Sequence, residues 1–421
     1  MKDEAKNIHH MLDQYKPKPE LVAVNINNTT DNTRDVLSEY CDKHKIKLRI
    51  KESKFYNYAA NRNIALENAY ESIREYYGIY PTGPISEEES KAMEKNGDIW
   101  YIFMVDADNI TLPDSVSNVT DDNIDKMDLG SVNMTKLISQ TLPKGSKTYP
   151  DTFDMTIISG TKYVVNNLFK AHLNGYNGVT YLCPVHEVAT QKCWKQISSD
   201  IKGCYIHRGR RGARSRDAHT YQKDALLITR MLDEGRICPD DIPRMTFYGA
   251  QSYKDARMYS NSYEMYKKRG EDKTGYYQER FMSYINMASI IEWIHIDGQS
   301  PYSKEELELK KHEAYSNAFN LIPYRWDGMV PVFRFYFRKH MHNVAWQIAK
   351  PHINANQVPK GLFVDTNYYN NPLVIEEFAL AAYYSDDKES FKQLINYALT
   401  LPMDKLKPDQ KARLLSHKSY F

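Results

Sequence analysis

The stretch Ile99-Trp100-Tyr101-Ile102-Phe103-Met104-Val105-Asp106-Ala107-Asp108 decides how the first half of this chain is read. Seven consecutive apolar residues, all β-branched or aromatic except Met104, predict a buried strand. Two carboxylates one residue apart then fall at the strand's carboxyl end, where open α/β sheets bind their ligands. Hard oxygen donors at such an edge suit Mg²⁺ or Mn²⁺ holding a diphosphate. An Asp-x-Asp at a strand end is equally an ordinary solvated turn, because Asp favours turns. The flanking sequence has to choose between the two.

Upstream, the pattern alternates. A short helix over Lys6–Tyr15 precedes a strand at Leu21–Val24, a polar turn at Asn27–Asp31, a helix over Asn32–His44 and a strand at Lys47–Ile50. Ile64, Leu66, Ala69 and Ile73 give Ala59–Tyr77 helical spacing. Tyr80–Pro84 and the acidic Glu87–Glu89 read as an exposed loop. Downstream, Gly130–Thr135, Thr156–Ser159 and Cys204–His207 are β-like. Alternating elements of this kind predict an α/β domain with a mostly parallel sheet, spanning residues 1–216.

From Asp217 to the end, helical spacing runs almost unbroken, predicting a second, all-α domain over residues 217–421. Expected helices are Tyr221–Asp233, Arg244–Lys254, Ala256–Lys268, Tyr276–Ile294, Lys304–Leu321, Val332–Lys350, Pro372–Tyr384 and Glu389–Leu399. Small and aromatic residues such as Gly249, Ala250, Ala256, Tyr259, Tyr263 and Tyr266 resemble the packing of helical hairpin repeats. The joint is Ile206–Arg216, with five arginines and two glycines.

Composition excludes several classes. Among 421 residues, 56 basic side chains against 54 acidic give a net charge of +2, so no global field favours nucleic acid or a membrane surface. The 33 tyrosines suit helix packing and sugar or nucleotide stacking alike. Five scattered cysteines form no Cys-x-x-Cys pair, which argues against structural zinc and against a disulfide framework. The opening Met1-Lys2-Asp3-Glu4 lacks an apolar leader and no stretch approaches a membrane span, which predicts a cytoplasmic protein.

Four polar segments call for one explanation. The turn Val24–Thr33 follows a strand and precedes a helix, as any capped helix start does. Arg62 and Asn63 stand in the first turn of an amphipathic helix, where both are also at home as solvated side chains. The third segment is Asp106/Asp108. The fourth is Val185-His186-Glu187, followed by His207 after another strand. Glu187 alone is equally a surface ion-pair partner, and His207 equally a strand-end histidine.

Taken in this order, the segments resemble an inverting family 2-type glycosyltransferase of the GT-A fold, in the subgroup with tetratricopeptide-like helices after the catalytic domain. Lys2-Asp3-Glu4 resembles its Lys-x-Glu opening, and Thr29-Thr30-Asp31-Asn32-Thr33 its Ser-Thr-Asp-x-Thr turn. Tyr58-Ala59-Ala60-Asn61-Arg62-Asn63-Ile64-Ala65-Leu66 resembles its Phe-x-x-Ala-Arg-Asn-x-Ala-Leu helix start, with Asn61 at the usual Ala. Val105–Asp108 resembles its metal motif, and Val185–Glu187 its acceptor-side Val-His-Glu.

The resemblance implies transfer from a nucleotide diphosphate sugar, a UDP-sugar, to a protein, peptide or glycan acceptor. It places Asp106, Asp108 and His207 on a divalent ion, Mn²⁺ or Mg²⁺. It sets Asn27, Asp31, Arg62 and Asn63 at the nucleotide, with Arg211 standing for a basic loop that closes over the diphosphate on Gly209 and Gly212. Glu187 is then the base that deprotonates the acceptor, with His186 orienting it or serving as base itself. Two departures stand out. The family's apolar strand ahead of Lys-x-Glu has no counterpart, and Asn25, Ile26 and Asn27 occupy the place of a nucleotide-contacting Asp. Two rival readings remain: a degenerate transferase fold serving as a helical binding scaffold, and a glycosyltransferase acting on nucleic acid through the arginine loop.

Overall fold

The computed structural model describes residues 1–76, 88, 100–141, 150–159, 161–170, 179–191, 198–296, 302–354, 357–404 and 406–421. Ile99, Tyr77, Cys193 and all but Glu88 of the expected 80–89 loop lie outside them. The chain divides into two compact units, Met1–Thr220 and Tyr221–Phe421.

The first unit starts with a βαβ crossover. Strand β1 (Leu21–Asn27) and strand β2 (Lys47–Ser53) pair in parallel, Leu21 opposite Lys47 and Asn27 opposite Ser53. A parallel pair needs a crossover, here helix α2 (Thr33–His44). Helix α1 (Ile8–Asp13) and α2 bury Ile8, Met11, Leu12, Leu37, Tyr40 and Cys41 against Val22, Val24 and Ile26. Each such aliphatic side chain contributes roughly 1.5–3 kcal/mol. Helix α3 (Tyr58–Tyr76) packs on β1, β2 and the later strand β7 (Val179–Leu182) and buries Leu66, Ala69 and Ile73, with Leu66 against Phe169, Val179 and Tyr181. Buried Asn68 ties it down by donating to the carbonyls of Val24 and Arg49 at 3.0 and 3.1 Å.

A second sheet has the order β3-β6-β5-β10-β4, with β9 on β5. Its strands are β3 (Tyr101–Phe103), β4 (Asn109–Pro113), β5 (Thr152–Ser159), β6 (Thr161–Lys170), β9 (Ser198–Asp200) and β10 (Cys204–Arg208). Since β3 and β4 stand at opposite ends of that order, residues 104–108 carry the two aspartates from one side of the sheet to the other. The remaining strands, β7 (Val179–Leu182) and β8 (Val188–Gln191), form an antiparallel hairpin whose turn is 183–187.

The α/β class holds, but the expected mostly parallel sheet gives way to a mixed one. Pairs β3–β6, β5–β6, β4–β10 and β7–β8 are antiparallel, while β1–β2, β5–β10 and β5–β9 are parallel. One residue separates β5 from β6, and so short a link can only turn the chain back on itself. The strand expected at Gly130–Thr135 is reduced to a single bridge between Val132 and Tyr15. Helix α4 (Met134–Thr141) follows at once, because the Asn133 side chain accepts from Lys136 N at 2.9 Å and caps it. A short helix α5 (Ala213–Arg216) ends the basic stretch.

Helix α6 (Thr220–Asp233) leads into the second unit. There follow α7 (Ile242–Asp255), α8 (Tyr259–Glu271), α9 (Tyr277–Ile296), α10 (Lys304–Leu321), α11 (Trp326–Arg338), α12 (His342–Ala349), α13 (Pro372–Tyr384), α14 (Lys388–Thr400) and α15 (Pro408–Ser416). From α7 onward each helix packs on its successor, and α7 also meets α9, the pattern of stacked helical repeats. The single helix expected at Val332–Lys350 is two. His340 adopts φ 58°, its N–H bonds Phe337 O, and Met341 N bonds Tyr336 O, closing α11 as a Schellman cap. Among the described residues no helix is long and apolar enough to cross a membrane.

Candidate active site

Capping of α3 begins the site. Asn57 Oδ1 accepts from Ala60 N at 2.8 Å, and Tyr58 N donates to Pro184 O at 3.0 Å, drawing the β7–β8 turn to the helix start. Asn63 strengthens the same join, its amide exchanging two bonds with the Tyr181 backbone at 2.7 and 2.9 Å. Arg62 then reaches two acids from distant sequence. Its Nε donates to Glu187 Oε1 at 2.6 Å, and its Nη2 lies 2.7 Å from Asp106 Oδ1. The Tyr181 ring stands 5.4 Å from the guanidinium. Burial works against the arginine's charge, but Asp106 and Glu187 outweigh it and hold Arg62 firmly protonated. Three sequence-predicted residues, Arg62, Asp106 and Glu187, are thus one ionic cluster.

Asp108 sits beside it. Burial first, then the neighbouring carboxylates of Asp106 and Glu4, push its acid up to about 6. Gly212 N donates to Asp108 Oδ2 at 3.2 Å, and Ala213 N donates to Glu4 Oε1 at 3.1 Å, so the basic stretch folds over the acidic motif. The two glycines supply clearance there. A Cβ at Gly209 would lie 2.2 Å from Asp108 O, and one at Gly212 2.7 Å from Asp108 Oδ2.

The donor set fits a hard divalent ion. Asp106 and Asp108 offer carboxylate oxygens in a region already crowded with negative charge. Among the described residues, no three His, Cys, Asp or Glu side chains converge closely enough to form a metal cage by themselves. An ion held by one or two carboxylates together with substrate phosphates needs no such cage. His207 does not join this pair through any described ion pair. Its Nε2 faces Asp121 Oδ1 at 3.9 Å, beyond hydrogen-bond reach, and neither atom has a hydrogen-bond partner among the described residues. Burial lowers its pKa.

A cleft of about 690 Å³ lies beside the same basic stretch, lined by residues that include Asp31, His10, Asp125 and Arg211. Asp31 binds the start of α2 by accepting from Thr33 N at 2.9 Å, and its other oxygen accepts from Ala5 N, ahead of α1, at 3.2 Å. Arg211 Nη1 and His10 Nε2 share Asp125 Oδ1 at 2.8 and 3.0 Å. Arg216 donates to Asp3 O at 2.9 Å, and Arg214 stacks on Tyr58 at 4.6 Å. Asn27 is turned inward, donating to Ser53 Oγ at 2.9 Å. His186 is exposed in the turn at φ 54°. Sequence reasoning gave no role to Glu4, Asp125 or Tyr181. Glu4 stands in a quoted motif, whereas Tyr181 is one more aromatic residue in an apolar strand and carries no signal.

Comparison with known families bears on this geometry. Residues 5–73 match Glycosyl transferase family 2. That match lies within the first unit and covers only the segment from α1 into α3, while the second unit is built of stacked helical repeats. The match takes in Asp31, Arg62 and Asn63 and stops before Asp106, Glu187 and His207. No curated protein matches the chain. Among solved structures, it is similar to YrrB, described as a TPR protein with an unusual peptide-binding site, at 9% identity over 48% of this chain and 84% of that one, with a TM-score of 0.30. MamA aligns at 14% identity over 48% and 98%, TM-score 0.29. TTC0263, a thermophilic TPR protein in Thermus thermophilus, aligns at 13% identity over 47% and 90%, TM-score 0.26. The repeat architecture itself rests on the helix-to-helix packing described above.

Proposed function

We propose that this protein is a metal-dependent inverting glycosyltransferase that uses a UDP-sugar and modifies a protein, peptide or glycan. The observation that carries the reading is the ionic cluster of Arg62, Asp106 and Glu187. It joins the part of the chain that matches the family to two acids that the match does not reach.

Asp106 and Asp108 would hold the ion, which neutralises the departing diphosphate. Asp31 and Arg211 line the cleft offered to the nucleotide. Glu187 takes the acceptor proton. Its Oε1 is engaged by Arg62, while Oε2 accepts no hydrogen bond among the described residues. The turn that carries Glu187 also carries the exposed His186, which would orient Glu187 or serve as the base itself. Stacked helical pairs make extended grooves, which suits a peptide or protein acceptor in the second unit. Arg214 and Arg216 are engaged by the protein's own groups, which favours sugar transfer over nucleic-acid contact.

The test is calorimetric titration of UDP with and without Mn²⁺, on the wild type and on Asp108→Ala. Mn²⁺-dependent binding that the substitution removes supports the donor site. A folded wild type that binds no nucleoside diphosphate overturns the enzyme reading in favour of a helical scaffold.

A further inference from the structure

We propose that Arg62 is a positioning residue that fixes the turn bearing Glu187 beside Asp106, and not a nucleotide ligand; this rests on the transferase reading above. The two acids are met by Nε and Nη2, neighbouring atoms on one edge of a planar guanidinium. A fork with fixed geometry sets the spacing of the two carboxylates, which an ammonium on a flexible stem does not do.

The surroundings leave that edge little freedom. The guanidinium lies against the Tyr181 ring, and the Asn63 amide clamps the Tyr181 backbone on both sides. The turn itself needs such a tie. Cys183 and His186 adopt φ 72° and 54°, conformations that L-residues rarely hold unless their surroundings fix them. The Tyr58 N–Pro184 O bond anchors only the near side of the turn. Arg62 anchors the far side, at Glu187. An arginine that served the donor phosphates would present this edge to the cleft, whereas here it is occupied by two protein carboxylates.

The experiment compares full-length wild type, Arg62→Lys and Arg62→Met by three readouts: amide hydrogen exchange over 183–187, UDP affinity in Mn²⁺, and Mn²⁺-dependent hydrolysis of UDP-glucose. Both variants are expected to exchange about tenfold faster over 183–187 than wild type, while β1 and β2 amides stay unchanged and report an intact fold. The UDP Kd stays within about threefold. Hydrolytic kcat falls on the order of 10²-fold with donor KM nearly constant, the signature of a displaced base. UDP binding weakened tenfold or more with unchanged exchange over 183–187 overturns the proposal and makes Arg62 a nucleotide ligand. Should the wild type bind no UDP, the transferase reading falls on that result alone. The exchange measurement still decides the tie: faster exchange in the variants upholds it, and unchanged exchange sinks it. Should Arg62→Met fail to fold, Arg62→Lys carries the same comparison.

Discussion

In the second unit the buried acids Glu279, Asp327 and Glu376 are each paired with bases: Glu279 meets Arg269 at 3.2 Å, Asp327 meets Arg325 at 2.5 Å, and Glu376 meets Arg413 and His417 at 2.6 and 2.8 Å. In the first unit Asp106 and Glu187 share the single guanidinium of Arg62, while Asp108 and Glu4 stand close enough to Asp106 to repel and accept from the backbone N–H groups of Gly212 and Ala213. Among the described residues, buried polar atoms without hydrogen-bond partners occur in both units, and beside this cluster they include Asn61 Oδ1, Asn109 Oδ1 and Tyr181 OH. A scaffold satisfies its buried charge, because an unpaired one is expensive. A site keeps imbalance in reserve for what it binds. The contrast teaches where to look for chemistry without any motif.

The contrast can be broken by substitutions on either side. Glu187→Gln should lower Mn²⁺-dependent UDP-sugar turnover by about 10³-fold, within the range of a lost general base, and leave UDP affinity unchanged in calorimetry. A fall below tenfold would remove Glu187 from the chemistry. Glu376→Gln should destabilise the second unit by about 2–3 kcal/mol in denaturant unfolding, the half-exposed Arg413 keeping the loss below that of a fully buried pair. Arg413 and His417 offset burial and hold the Glu376 acid below its usual range. Its contribution is therefore present above the unfolded pKa and drains away as pH falls through the lower folded value. The pH dependence of unfolding below about pH 4.5 should weaken in the variant.

Asp108 has the opposite sign. With its folded pKa up at about 6, the native state holds a proton that the unfolded chain has released between about pH 4 and 6. Stability from this group is present at low pH and lost as pH rises through 6. Asp108→Asn should therefore stabilise the first unit by about 1–3 kcal/mol at pH 7, and by almost nothing at pH 4, while abolishing Mn²⁺-dependent UDP binding. The smallest effect sharpens the scaffold side. Ser303 and Glu306 form a capping box at the start of α10, and Ser303→Ala should cost about 1 kcal/mol with no change in nucleotide affinity.

Much of this was legible in the sequence for a physical reason. The Leu21, Lys47 and Thr156 strands and nearly all the helices carry periodic apolar residues, and periodicity survives without tertiary information. The acidic motif, Arg62 and Glu187 could be named as candidates, but their meeting on one guanidinium could not, since Arg62 and Glu187 are 125 positions apart. Strand direction was misjudged where Thr152–Ser159 and Thr161–Lys170 turn back through one residue. The division of Val332–Lys350 was invisible because a histidine holds the left-handed cap. Arg257 and Asp386 end α7 and α13 in the same way, at φ 59° and 62°, so glycine was the wrong marker for these repeats.

Gly209 extends the lesson to mutational maps. A side chain there would drive into the backbone carbonyl of Asp108, while the glycine itself brings no functional group. A saturation library would score position 209 as intolerant as any catalytic acid. Its neighbour Arg210 bonds Asp121 through its main-chain N–H, and that contact outlasts most substitutions of the side chain. Intolerance along this stretch would trace the clearance between two strands of backbone, and a reader who took it for reactivity would place the chemistry one strand too far.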